Sequence, residues 1–150
     1  MALHSALTGA DLHEPKGAPT ATSGSVYISN GAGSGSWLPP PFTLSATIAD
    51  VSTAETVYLP IPYAGTVTKV VSVLTGSLTT ADATVTVRNS AAASMGTLTI
   101  TQAGSAAGDV DTLSPVANHT VSANSFMTIE TNGASDTARK LELVVFITRS

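Results

Sequence analysis

The chain has 150 residues, 43% hydrophobic and only 11% charged, with a net charge of −4, no cysteine, and 41 serines and threonines. That length suits one domain able to bury a core without disulfides or structural metals. The charge balance argues against nucleic acid as a partner, the apolar content against an acidic disordered chain, and the scarcity of Leu, Glu and Lys against a helical bundle.

The first residues, Met1-Ala2-Leu3-His4, carry no basic stretch leading into an apolar run, so no secretory signal is expected. No apolar stretch approaches the roughly 18 residues that cross a bilayer, so no membrane partner is expected and the protein reads as soluble and made in the cytosol. Residues 1–41 read as an extended arm, rich in Gly, Ser, Ala, Thr and Pro, with no charged residue between Lys16 and Asp50. The arm nevertheless contains Val26, Tyr27, Ile28, Trp37 and Leu38. Apolar anchors in a segment without a core of its own point to a chain ordered against another surface. Trp37 reads equally as a plug in the protein's own core or as an interface anchor. Pro39-Pro40-Pro41 is a semi-rigid spacer, and it sets the boundary between the arm (1–41) and a domain (42–150).

From Phe42 onward the chain reads as strands. Leu44, Ala46 and Ile48 alternate with polar residues, as do Val57, Leu59 and Ile61, where Pro60 and Pro62 mark an edge or an end. Thr66–Thr75 carries Val67, Val70, Val71, Val73 and Leu74, a density that fits a strand covered on both faces. Thr84–Arg88, Thr97–Thr101, Phe126–Thr131 and Leu141–Thr148 complete the set. In the last run Leu141, Leu143, Val145 and Ile147 point one way, and Val144 and Phe146 the other. Gly104 and the pair Asn132-Gly133 suit turns, the latter with positive φ. Ala91-Ala92-Ala93 could open one helical turn but is tightly bracketed, so no helix is expected. The fold class is therefore all-β, an antiparallel jelly-roll-like β-sandwich preceded by an extended arm, with an immunoglobulin-like topology left open.

Residues able to do chemistry are sparse. His4, His13 and His119 lack the spacing of a zinc site. Asp109-Val110-Asp111 resembles part of a calcium loop without its glycine and closing glutamate, and reads as a solvated turn. Gly31-Ala32-Gly33-Ser34-Gly35 lacks the lysine of a phosphate loop, and no helix follows it as a nucleophile elbow requires. Asn118-His119-Thr120 fits a glycosylation acceptor but reads as a polar turn. Paired carboxylates for glycoside cleavage could come from Asp50, Glu55, Asp82 or Glu130, against a background of only 5% aromatics for stacking sugars. No catalytic residue, metal or cofactor is expected. A small carbohydrate-binding or carbohydrate-active β-sandwich remains a rival.

Two strings carry a family resemblance. One is Leu7-Thr8-Gly9-Ala10-Asp11-Leu12-His13-Glu14-Pro15-Lys16-Gly17-Ala18, and the other runs from Gly24-Ser25-Val26-Tyr27-Ile28 to Gly35-Ser36-Trp37. Together they resemble the N-terminal region of tailed-bacteriophage virion proteins, namely capsid decoration (cement) proteins and fibre or spike subunits. The resemblance covers about a quarter of the chain, and the Asp11–Gly17 string is its most specific part. It implies a structural protein of the virion, placed on the outer capsid surface after synthesis in the bacterial cytoplasm. Its implied partners are the major capsid protein and further copies of itself, as a homotrimer. Capsid contact falls to the arm, through Leu12, His13, Pro15, Val26, Tyr27, Ile28 and Trp37. Val144 and Phe146 are candidates for a subunit contact, and burial of the last strand on both faces would explain them equally well. The alternative is a short tail-fibre, spike-base or head-fibre subunit docked through the same arm.

Overall fold

The computed structural model describes residues 20–32, 35–135 and 137–150. The chain divides into two compact units, Met1–Pro40 and Pro41–Ser150. In the first, the described residues hold a hairpin of β1 (Val26–Ser29) and β2 (Gly35–Leu38). The second carries β3 (Phe42–Ile48), β4 (Glu55–Ile61), β5 (Gly65–Leu74), β6 (Ala83–Asn89), β7 (Ser94–Ile100), β8 (Val110–Leu113), β9 (Thr120–Val121), β10 (Ser125–Thr131) and β11 (Leu141–Arg149). Among the described residues there is no α-helix.

One sheet has the order β3-β11-β5-β8, with β9 added to β5, and the other has β4-β10-β6-β7. Every pairing is antiparallel. The long strands pair from the outside inward: first with last (β3 with β11), then β4 with β10, β5 with β8, and β6 with β7. A single long hairpin wound over on itself produces this nesting, which is the jelly roll. An immunoglobulin-like sandwich would keep its first two strands in one sheet, whereas β3 and β4 lie in different sheets here.

The alternation in sequence explains the layers. Ile48, Leu59, Ile61, Val85, Val87, Leu98, Ile100, Met127, Ile129 and the four inward residues of β11 are buried between the sheets. Threonines such as Thr56, Thr97 and Thr99 take the outward positions, where a β-branched side chain suits the pleat and its hydroxyl meets water. Strand β5 departs from the expected two-sided burial. A register shift between Phe146 and Ile147 sets Val67 opposite Ile147 and Lys69 opposite Phe146, leaving Thr68 as the extra residue. The bulge changes the inward phase, so Val67, Val70 and Leu74 are buried while Val71 and Val73 face outward.

The joints follow their chemistry. Gly133 has φ +67°, and Asn132 Oδ1 accepts from the backbone N–H groups of Thr84 and Ala134. Ala91–Ala93 forms no helical turn. It is the β6–β7 hairpin turn, with Asn89 Oδ1 accepting from Ala91 and Ala93 and Ala92 held at φ +60°. The solvated turn expected at Asp109–Asp111 is also corrected: Val110 and Asp111 belong to β8 and pair with Val73 and Ser72. Asn118 is a turn residue at φ +54°, but Thr120 enters β9.

Candidate functional site

Four of the arm residues come together in the hairpin. Tyr27 faces Trp37 across the strands and Val26 faces Leu38. The Tyr27 and Trp37 rings meet edge-on, with centroids 5.4 Å apart. Gly35 permits this approach, since a Cβ there would stand 2.3 Å from the Ile28 carbonyl oxygen. The opposite side of the ribbon presents Val26, Ile28 and Leu38 in one row, each 42–45% exposed. The described part of the expected extended arm is thus a paired ribbon. Leu12, His13 and Pro15 lie outside the described residues.

Val144 and Phe146 sit on the outer face of the β3-β11-β5-β8 sheet. Phe146 lies between Thr43 and Lys69, and Val144 between Ser45 and Val71. Val73 and Val110 continue the face as a further pair. Neither Val144 nor Phe146 is buried, so burial of β11 on both faces does not explain them. The sequence shows Val71, Val73 and Val110 but does not place them on this outer face. The first two became legible only with the β5 bulge, and Val110 had been placed in a turn.

Where the sheets meet, β3 runs beside β4 and β8 beside β7. Three of these edges carry protection of known kinds. Strand β4 contains Pro60, β8 is four residues long and begins between Asp109 and Asp111, and β7 is kinked where Gly96 sits at φ +144° beside a register shift. Strand β3 has seven residues, no charge and no proline, and no described strand pairs with its outer edge.

The outer face of the second sheet has a different chemistry. Tyr58 and Phe126 are diagonal neighbours on β4 and β10, with centroids 5.5 Å apart. Beside them Arg88 Nε donates to Glu130 Oε2 at 2.9 Å, and Thr128 Oγ1 donates to Oε1 at 2.9 Å. These contacts, the Arg88 hydrogen bond foremost, hold the Glu130 carboxyl below its ordinary pKa. Tyr58 alternates with the inward Val57 and Leu59 and Phe126 precedes the inward Met127, but only the β4–β10 register joins the two aromatics.

The remaining sequence candidates have structural roles. Asp50 accepts from the N–H and hydroxyl of Ser52, Glu55 from the Ala49 N–H, and Asp82 from the Gln102 N–H. His119 Nδ1 lies 2.9 Å from the Pro115 carbonyl oxygen. Asp111 shares the core-facing row with Ser72, and burial, reinforced by Asp109, raises its pKa. Among the described residues no group of three or more His, Asp and Glu side chains is placed to hold a metal ion. A hollow of about 600 Å³, open to solvent, is lined by residues including Thr75, Ser77, Arg139 and Lys140. No helix among the described residues is long and apolar enough to cross a membrane. Comparison with protein-family models and with curated proteins finds no match to the chain.

Proposed function

We propose that this chain is a structural protein of a tailed-phage virion, a capsid decoration protein that binds the outer shell and braces neighbouring major capsid subunits. The observation that carries the reading is the hairpin. A two-stranded ribbon is marginally stable alone in water, yet this one exposes an apolar row of Val26, Ile28 and Leu38. Covering that row on a protein surface would stabilise ribbon and complex together. The segment is also the one whose sequence resembles phage virion proteins, and jelly rolls recur in viral capsid domains.

Two features of the domain support the same role. The outer edge of β3, with which no described strand pairs, is where a strand from a capsid subunit would add. The outer row of Val71, Val73, Val110, Val144 and Phe146 is the contact by which copies associate around a threefold axis, multiplying weak individual contacts through effective concentration. No catalytic step is involved.

Deletion of residues 1–41 tests the division of labour. Among the described residues the buried core lies between Ala46 and Ile147, so the truncated chain keeps its fold, read by circular dichroism and a cooperative melt. It loses binding to undecorated capsids. Full occupancy of capsids by the truncated chain would overturn the role given to the arm.

A further inference from the structure

We propose that the Tyr58–Phe126 face of the β4-β10-β6-β7 sheet is a saccharide-binding site that takes one pyranose unit of a neutral glycan, a property separate from capsid attachment. A depression of about 220 Å³ opens here, lined by residues that include Tyr58, Phe126, Thr128, Glu130, Asn89 and Ser90. It is smaller than the roughly 300–1,000 Å³ of sites for drug-sized ligands, which suits a single sugar ring. Tyr58 is 65% exposed and Phe126 41%, so two of the seven aromatic residues of an aromatic-poor chain stand together in solvent.

The chemistry separates a sugar from a protein as occupant. A pyranose presents a face of C–H bonds and a rim of hydroxyls. The tilted pair of rings offers an apolar surface for the first. The Glu130 carboxylate, fixed by Arg88 and Thr128, offers acceptor lone pairs for the second, and hydrogen bonds to an ionised acceptor are the stronger kind. Arg88 is itself anchored on the Ala92 carbonyl, and Asn89 on that of Asn118, so the polar wall is organised before any ligand arrives. A protein partner would have to dehydrate the Arg88–Glu130 pair at the centre of its contact, which is costly, and interface cores are depleted of charge. Sugar hydroxyls replace the lost water in kind. The opposite sheet turns Val71, Val73, Val110, Val144 and Phe146 outward beside Lys69 and Glu142, an outer row richer in aliphatic side chains.

Saturation-transfer NMR on the full chain tests this, with the methyl glycosides of glucose, galactose, mannose and N-acetylglucosamine at millimolar concentration as probes. The expected result is transfer to the ring protons of at least one glycoside. Tyr58→Ala and Phe126→Ala, both at exposed positions, each weaken binding roughly tenfold. Glu130→Gln weakens it as well, and Thr99→Ala at the far end of the same sheet leaves it unchanged. Absence of transfer to all four glycosides overturns the proposal, as does transfer that survives Tyr58→Ala. Loss of self-association by Tyr58→Ala in light scattering would also overturn it, by making the face a protein contact.

Discussion

Replacing Val26, Ile28 and Leu38 together by serine removes the apolar row of the hairpin without touching the Tyr27–Trp37 contact on its other side. Full burial of such a side chain stabilises by about 1.5–3 kcal/mol. With 42–45% of each still exposed, covering the remainder contributes about 0.6–1.3 kcal/mol per residue. The row as a whole is therefore worth about 2–4 kcal/mol of binding, or roughly 30- to 700-fold in Kd. Co-sedimentation of the full chain with undecorated capsids over a protein titration reads this directly. Unchanged tryptophan emission, since Trp37 is the only tryptophan, reports that the ribbon keeps its pairing. A triple variant that binds within about twofold of the parent would refute the claim that this row is the covered surface.

Three other substitutions probe separate parts of the structure. Gly35→Ala drives a Cβ into the Ile28 carbonyl, so it should shift Trp37 emission and abolish capsid binding while the melting temperature of the jelly roll stays unchanged. Ser72 is fully buried and its Oγ has no hydrogen-bond partner among the described residues; Ser72→Ala should stabilise by about 1 kcal/mol in chemical denaturation, and destabilisation of that size would show that the hydroxyl is satisfied. Asp111 has its pKa raised by burial, so its charged form opposes folding above the folded-state pKa and the penalty is relieved as pH falls through it. Asp111→Asn should therefore raise the melting temperature at neutral pH, with the gain shrinking through the acid range; a gain independent of pH would remove the charge from the explanation.

The fold was legible where alternation was clean. The inward residues of β3, β4, β6 and β11 follow from period two alone, as do Leu98 and Ile100 of β7 and Met127, Ile129 and Thr131 of β10, and Asn132-Gly133 marked its turn. Strands β8 and β9 escaped because they have four and two residues and one apolar residue of β8, Val110, sits between aspartates. The phase of β5 could not be read because a bulge is a property of two strands, and Thr68 becomes the extra residue only against β11. In the same way Val26, Tyr27, Ile28 and Trp37 were visible as anchors, but their partition between two sides of a ribbon needed the register. The Tyr58–Phe126 pair joins residues 68 positions apart, a distance over which no local pattern carries information. The β3 edge became notable only by contrast with three protected edges, and that comparison requires the topology.

The proposed role places the chain at many sites on one particle, and copy number tests it. Quantitative mass spectrometry on purified virions from cells that express this chain, referenced to the major capsid protein, gives that number. A decoration protein is present in many copies, in a fixed ratio to the capsid subunit and spread over the shell. Absence from the particle, or a few copies confined to one vertex or to the tail, would contradict it.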